Sequence, residues 1–343
     1  MPASAAELER PTWLQTKAEL QSRPLEFARA YDPFQSHEID DALSVEDIGG
    51  AYSKELRVKI HIPDTSAFVG HKFMDQAVKT GWSKYYDDGR CDPLFPNKVV
   101  ARTSLERGEP GLGAASTTLA FTVSEGFTDV QDVEFYKSRV ICEPLTYKQL
   151  AKRLNAEAIE PGCFPEEALI LQSAQLLVLN RRMLAGKRPL LTQTNANVGQ
   201  RTAKDAVAEH MLVYNKTIPI VARGLNSPVL FRNHNIRQFE HSGKTLITEL
   251  YPDSELFAGL KLGWYGRIST GHSGVGATNY CHASSPLRRI PDALNSANLV
   301  AALNEQAVPY PIEYLDEVAI RLAEKIKRGL GITAINPDLE SVA

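Results

Sequence analysis

The sequence lacks long hydrophobic runs. Its 343 residues are 43 % hydrophobic and 23 % charged, and no apolar stretch approaches the roughly 20 residues that a membrane-spanning helix needs. Residues Met1–Leu20 mix acids, bases and alanine without the apolar stretch of a secretory signal. We therefore expect a cytoplasmic protein without a membrane partner.

Cysteine and excess positive charge are also scarce. The four cysteines lie far apart, which fits neither a zinc motif nor a dense disulfide framework, so we expect reduced thiols. The formal net charge is −3, which is not typical of proteins that bind nucleic acid through bulk charge. Any nucleic-acid binding would need a local basic channel.

What the sequence does contain is a dense acidic stretch between residues 31 and 43. It has four carboxylates and no Lys or Arg among them: Asp32, Glu38, Asp40 and Asp41. Like charges repel strongly in a partly desolvated site, and oxygen ligands favour a hard cation, Mg²⁺ or Mn²⁺. Acidic runs are more often solvated loops. Here, however, Ala42–Val45 follows at once and residues 56–62 alternate at strand period, so the acids are predicted to lie where a loop enters a sheet.

The hydrophobic pattern changes along the chain. Strands are predicted at Arg57–Ile62, Ser116–Val123 and Val133–Cys142. Helices are predicted at Tyr147–Asn155, Glu166–Ala185, Ala203–Ala222, Leu287–Leu303 and Tyr314–Leu330. Strands followed by helices predict an α+β domain. We expect an N-terminal arm at 1–24, this domain at 25–330 and a tail at 331–343.

A second informative stretch is Tyr280–Asp292, in which Arg288 and Arg289 follow a Ser-Ser-Pro turn. Paired arginines can bind phosphate oxygens through two hydrogen bonds at once. Taken alone, such a pair is more often a surface feature.

Together the two stretches resemble the RNB catalytic domain of RNase II-type exoribonucleases. The first resembles that family's Asp followed by Asp-x-Asp-Asp-Ala, and the second its Ser-Pro-Ile-Arg-Arg-Tyr-x-Asp. Weaker resemblances follow in the family's order at 60–64, 92–96, 103–105, 209–215, 230–234 and 271–276. The resemblance implies a central mixed β-sheet surrounded by helices, with a buried active-site funnel.

The resemblance also implies a function: 3′→5′ hydrolysis of single-stranded RNA that releases nucleoside 5′-monophosphates, without DNA as a substrate. It implies that all four acids hold Mg²⁺, or Mn²⁺, around the scissile phosphate, with Asp40, Asp41 and Arg288 catalytic. RNA-binding roles are implied for Arg289, for Glu209 at the last nucleotide, and for Tyr86 as the base-stacking ring, or Tyr85 if the loop is one residue out of register.

Departures from the family pattern leave a second class of function open. Glu38 replaces an Asp, Ser296-Ala297 replace a His-Arg pair, and no late Glu stands near Gly329–Gly331. The flanking OB-fold domains are expected to be absent, so a protein partner could supply the missing grip on RNA. The alternative is an RNB-fold protein that acts on another RNA-linked bond, such as an ester at a tRNA 3′ end, or that only binds RNA or protein.

Overall fold

The structure is a computed structural model that describes residues 17–33, 36–50, 54–86, 88–108, 111–125, 129–185, 200–234 and 263–329. The strands are β1 (Leu25–Asp32), β2 (Ala42–Asp47), β3 (Glu55–Pro63), β4 (Lys84–Tyr85), β5 (Cys91–Asp92), β6 (Ala114–Ser124), β7 (Gln131–Thr146), β8 (Phe231–Asn233) and β9 (Trp264–Gly266). The helices are α1 (Lys17–Ser22), α2 (His71–Thr80), α3 (Asn97–Thr103), α4 (Tyr147–Ile159), α5 (Pro165–Ala185), α6 (Gln200–Gly224), α7 (Ile290–Leu303) and α8 (Ile312–Gly329).

Five strands form a closed barrel in the order β1-β2-β3-β6-β7. Strands β1 and β7 pair in parallel from Leu25 opposite Arg139 to Asp32 opposite Thr146, whereas the other pairs are antiparallel. The sheet is therefore mixed and surrounded by helices, as expected. Closure leaves none of these five strands with an unpaired edge.

The two faces of the barrel differ because side chains alternate along each strand. One face carries large apolar side chains, such as Val58, Ile60 and Phe121, which pack in one core with residues of α4, α5 and α6. The opposite face carries small and polar residues. There the His61 ring lies within hydrogen-bond distance of Ser44 Oγ (3.1 Å) and Thr118 Oγ1 (2.9 Å).

A second apolar core joins α2, α3, α7 and α8. Helix α7 lies in its centre, and its first twelve residues, Ile290–Ala301, are all buried. Since α7 directly follows the paired arginines, this core anchors their segment. Within the described ranges no helix combines the length and the apolar character that a membrane crossing would require.

Most predicted elements are confirmed within a few residues, but the predicted start of α7 was wrong. The helix begins at Ile290 and not at Leu287, because Pro291 is tolerated in a first helical turn but clashes with the preceding turn when it lies deeper. The sequence pattern also missed β1, α2 and α3, whereas β2 begins at Ala42, where the acidic loop was predicted to enter a sheet. The expected domain boundaries stay predictions, and residues 1–16 and 330–343 lie outside the described part of the chain.

Candidate active site

The acidic stretch is the connection between β1 and β2. Asp32 ends β1 and Ala42 begins β2, so the antiparallel pair brings both ends of the acidic stretch to one end of the barrel. The Ile39 N–H donates to Ser104 Oγ (2.8 Å), and the Leu105 N–H donates to the Ile39 carbonyl (3.2 Å). Backbone and side-chain bonds therefore hold the acids in place.

The second motif meets this loop directly, as the resemblance implied. Asp40 accepts two hydrogen bonds, one from the Leu287 N–H (2.8 Å) and one from Arg288 Nε (3.1 Å). Arg288 Nη2 donates to Ser285 Oγ (2.8 Å). The Arg288 side chain is still 44 % exposed, so part of its guanidinium remains open to a ligand.

Arg289 is placed differently. Its Nη2 donates to Asp292 Oδ1 (2.7 Å) and to Ser284 Oγ (3.3 Å). Asp292 is fully buried in the first turn of α7 and also accepts the Ser285 N–H (2.8 Å). Arg289 thus forms an ion pair that fastens the arginine segment to α7.

The segment 81–86, which carries Tyr85 and Tyr86, is hydrogen-bonded through its backbone to the segment 284–290, which carries the two arginines. Ser83 N–H donates to the Arg288 carbonyl (2.9 Å), and Ile290 N–H donates to the Gly81 carbonyl (3.0 Å). Beyond this pairing the Tyr85 hydroxyl donates to Glu38 Oε1, whereas the Tyr86 hydroxyl donates to Asp92 Oδ2 (2.7 Å). Of the two candidate stacking rings, Tyr85 is therefore the one tied to the acidic loop.

Burial raises the pKa values of Asp32, Asp40 and Asp41 to about 7 each. Mutual repulsion adds to this effect: Asp41 raises the pKa of Asp32, and Asp40 raises that of Asp41. Arg288 opposes all three shifts. Arg289 also lowers the pKa of Asp41, yet the pKa values stay raised, which is the electrostatic setting that a bound cation would relieve.

The two acids at the ends of the stretch fit a magnesium ion. Asp32 Oδ2 is buried without a hydrogen-bond partner, while its Oδ1 accepts a hydrogen bond from Ser36 Oγ (3.3 Å). No hydrogen bond or ion pair occupies Asp41 among the residues that the structure describes. Glu38 Oε2 also lacks a partner, but Glu38 Oε1 accepts the Tyr85 hydroxyl. The same residues contain no group of three or more His, Cys, Asp or Glu side chains arranged around one metal position. Mg²⁺ is commonly held by only one or two carboxylates, with water and substrate phosphate as the other ligands. The geometry thus suits an open magnesium site better than a closed structural one.

Glu209 lies apart from the four acids. It is 3 % exposed and lines a cavity of about 40 Å³ together with Asn180, Lys216 and Tyr280. None of the four acids is in that lining. Helix α6 nevertheless reaches the arginine segment, since the Ala283 N–H donates to Asn215 Oδ1 (2.9 Å) and Asn215 Nδ2 donates to Ser284 Oγ (3.1 Å).

Tyr147 is a residue of the site that the sequence pattern did not identify. It opens α4 directly after the barrel strand β7. Burial raises the pKa of its hydroxyl, and the nearby Asp41 and Asp32 raise it further. The parallel pairing of β1 with β7, which places Asp32 opposite Thr146, brings Tyr147 close to the acids, and no local sequence signal could have shown this.

The chain was also compared with known proteins. A family model described as RNB domain matches residues 27–305. Ribonuclease R of Aquifex aeolicus (strain VF5) is 25 % identical to this chain in an alignment 354 residues long. The aligned parts make up 86 % of this chain and 48 % of that protein. The chain therefore spans about half the length of the curated relatives it matches.

Solved structures show the same fold. An active-site mutant of the Dss1 exoribonuclease from Candida glabrata has a TM-score of 0.73 at 17 % identity and covers 92 % of this chain and 46 % of that one. Mycoplasma genitalium RNase R in complex with ribose methylated single-stranded RNA has a TM-score of 0.70 at 16 % identity, and the match covers 95 % of this chain and 58 % of that one. Yeast Ssd1, a pseudonuclease, has a TM-score of 0.72 at 16 % identity, with 92 % and 45 % covered. Because the family model matches most of the chain and places the acidic loop and the paired arginines within one domain, this chain belongs to the RNB domain family.

Proposed function

We propose that this protein is a metal-dependent ribonuclease that hydrolyses single-stranded RNA from the 3′ end and releases nucleoside 5′-monophosphates. One observation carries the proposal: Asp41 and the buried Oδ2 of Asp32, neither of which has a hydrogen-bond partner among the described residues, stand beside a third acid that is tied to a partly exposed arginine, Arg288. This arrangement can bind a phosphodiester from two sides. The ribonuclease names of the relatives support it.

In this proposal Asp32 and Asp41 hold Mg²⁺ directly, and Glu38 and Asp40 add negative charge around it. When bound, Mg²⁺, or Mn²⁺ in its place, activates water and neutralises charge on the phosphoryl group. Asp40 keeps Arg288 at the mouth of the acidic loop through its bond to Nε. The remaining guanidinium N–H groups can then stabilise the charge that develops on the phosphate oxygens.

Arg288 remains a cation at every pH that the protein tolerates. Burial lowers its pKa, but Asp40 and Asp41 outweigh burial and raise this pKa above its usual range. The side chain therefore acts as an electrostatic stabiliser and not as a general acid. Proton transfer to the leaving 3′ oxygen would come from water.

RNA is the proposed partner, because the related RNase R of Mycoplasma genitalium has been solved with single-stranded RNA. We place the protein in the cytoplasm, consistent with its four unpaired thiols. A protein partner that adds grip on RNA belongs to this proposal as well. Glu209 would act at the last nucleotide, whereas the RNA-binding role that the resemblance implies for Arg289 gives way to a scaffold role, because its guanidinium is paired with Asp292.

A binding function without hydrolysis is the second candidate. Both carboxylate oxygens of Asp40 are occupied, by the Leu287 N–H and by Arg288 Nε, and a solved pseudonuclease shares the fold. Such a protein would bind RNA or protein. The related alternative is an RNB-fold hydrolase that acts on another RNA-linked bond, such as an ester at a tRNA 3′ end.

Incubation with 5′-end-labelled single-stranded RNA distinguishes these functions. With Mg²⁺ we expect stepwise shortening from the 3′ end and nucleoside 5′-monophosphates on chromatography, and with EDTA neither. Asp41→Asn serves as the matched inactive variant. Tight RNA binding without shortening would favour the second candidate, and release of an amino acid from aminoacylated tRNA would favour ester hydrolysis.

A further inference from the structure

Glu38 differs from the other acids because a tyrosine hydroxyl occupies it. Its side chain is 5 % exposed, and its Oε1 accepts the hydroxyl of Tyr85. The flanking residues are fixed, since His37 lies 3.3 Å from the Gly89 carbonyl and the Ile39 N–H binds Ser104. The direction of the Glu38 side chain is therefore set by the loop before RNA arrives.

Tyr85 has a fixed tip and an open ring. Its hydroxyl end lies among Glu38, Arg288 and Asp40, yet the residue is 55 % exposed. Strand β4 contains only two residues and pairs with an equally short β5, so the backbone alone holds the ring weakly. The bond to Glu38 connects the ring to the acidic loop.

We propose that Glu38 acts through Tyr85 as a positioning residue: its carboxylate holds the phenol hydroxyl so that the exposed ring face is ready to stack on the 3′-terminal base of RNA. This inference rests on the proposed ribonuclease function and assigns to Glu38 a task other than binding the metal. Aromatic rings that stack on bases contribute about 1–3 kcal/mol per base, and a ring ordered in advance avoids the entropy cost of ordering on binding.

The length and the charge of Glu38 separate the two roles. Glu38→Gln keeps the reach and an oxygen that accepts the hydroxyl but removes the charge that a metal ligand needs. Glu38→Asp keeps the charge but is shorter by one C–C bond, about 1.5 Å, so it loses contact with Tyr85. A positioning residue tolerates Gln and not Asp, whereas a metal ligand tolerates Asp and not Gln.

The first measurement is RNA affinity in EDTA, by fluorescence anisotropy, so that neither metal nor turnover contributes. Two single-stranded RNAs are used, one complete and one with an abasic 3′-terminal nucleotide. We expect Tyr85→Phe and Glu38→Asp to weaken binding of the complete RNA by about two- to tenfold, and to lose most of the difference between the two RNAs. Glu38→Gln should behave as the unchanged protein.

Tyr136→Phe is the matched control. The Tyr136 hydroxyl donates to Glu26 Oε1 (2.8 Å), so this change removes the same kind of tyrosine–glutamate bond from the barrel away from the acidic loop. It should leave both RNA affinities unchanged. The double variant Glu38→Asp/Tyr85→Phe should bind no more weakly than either single variant, because both remove one interaction.

The second measurement is Mn²⁺ binding without RNA, followed by electron paramagnetic resonance. Glu38→Gln should weaken Mn²⁺ binding only a few-fold, through the lost charge alone, whereas Asp32→Asn, which loses a direct ligand, should weaken it much more. If Glu38→Gln loses Mn²⁺ and RNA affinity while Glu38→Asp keeps both, Glu38 is a metal ligand and the inference is overturned. Unaltered RNA affinity in Tyr85→Phe would overturn it too. If either overturning result is found and the unchanged protein still shortens RNA, only the inference fails. If the unchanged protein neither binds nor shortens RNA, the proposed function is refuted as well.

Discussion

Buried carboxylates occur in two regions of this protein, and they differ in whether a cation is paired with them. Asp64 and Glu167 are fully buried in the scaffold, where Arg23 (2.6 Å) and Arg153 (2.8 Å) neutralise them. In the acidic loop Asp32 Oδ2 and Glu38 Oε2 are buried, and neither residue forms an ion pair with a described residue. Glu167 Oε2 in the scaffold also lacks a partner, but the other oxygen of Glu167 is paired with Arg153. Since an unneutralised buried charge is costly, the unpaired set marks the region kept for function.

The same difference separates the two adjacent arginines. Arg289 pairs with the fully buried Asp292 at the start of α7, whereas Arg288 reaches Asp40 and remains 44 % exposed. Neighbouring residues of one motif thus belong to different regions, one to the scaffold and one to the site. The predictions below test this division.

The largest expected effect is on turnover in Asp41→Asn. We expect RNA hydrolysis to fall by orders of magnitude, because one of the two carboxylates proposed to hold Mg²⁺ is lost. Thermal stability in EDTA at pH 8 should stay the same or rise, because a repelling charge is removed. End-labelled RNA and thermal unfolding measure the two effects. Normal turnover in the double variant Asp40→Asn/Asp41→Asn would show that the site is misassigned.

Arg288→Ala should also slow hydrolysis by orders of magnitude, while RNA affinity falls by only about 1–3 kcal/mol. An arginine that stabilises developing charge affects turnover more than binding. Arg288→Lys should restore little of the hydrolysis rate, because lysine cannot form the two parallel hydrogen bonds that a guanidinium makes to a phosphate. The measurement is kcat and the RNA Kd of each variant, each compared with that of the unchanged protein.

Arg289→Ala is the contrasting variant. It should lower the free energy of unfolding by about 3–5 kcal/mol, because Asp292 is left buried and unpaired. Denaturant unfolding measures this loss. If Arg289→Ala keeps full stability but loses turnover, while Arg288→Ala turns over normally, the roles of the two arginines are exchanged.

Asp64→Asn tests the scaffold carboxylates. Asp64 accepts hydrogen bonds from Arg23 Nη2 (2.6 Å) and Ser66 Oγ (2.5 Å), and loss of its charge leaves Arg23 buried without a counter-ion. The free energy of unfolding should fall by about 3–5 kcal/mol, the opposite of the effect in Asp41→Asn. Equal stability changes in the two variants would remove the distinction between the regions.

A smaller effect is expected from pH. Burial raises the pKa values of Asp32, Asp40 and Asp41 from the ordinary value of about 3.9 to about 7. A raised acid pKa means that the folded state holds protons more tightly than the unfolded state. In EDTA, the stability that these groups contribute should therefore be greatest below about pH 4 and should be lost as the pH rises to about 7. Mg²⁺ should stabilise the protein more at pH 8 than at pH 5, and equal stabilisation at both pH values would contradict this.

Much of the site followed from sequence, because motif residues close together in the chain stay close in space. The four acids and the two arginines were identified, and Arg288 does meet Asp40. Strand β1 was missed because Ala28 and Ala30 on one barrel face weaken the apolar alternation that marks a strand. Helix α7 was predicted too long because Pro291 was treated as an interruption and not as a first-turn residue.

By itself, the sequence determined the acidic cluster, the paired arginines, the α+β class and the resemblance to the RNB family, because each depends on residue type and local spacing. Only the tertiary structure decided which carboxylates are neutralised, which arginine serves the scaffold and which tyrosine meets the acidic loop. Those outcomes depend on contacts between segments as distant as Asp40 and Arg288, or Glu38 and Tyr85. A closed barrel and the burial of α7 bring such segments together, and pairing and burial, not composition, then set the charge of each group.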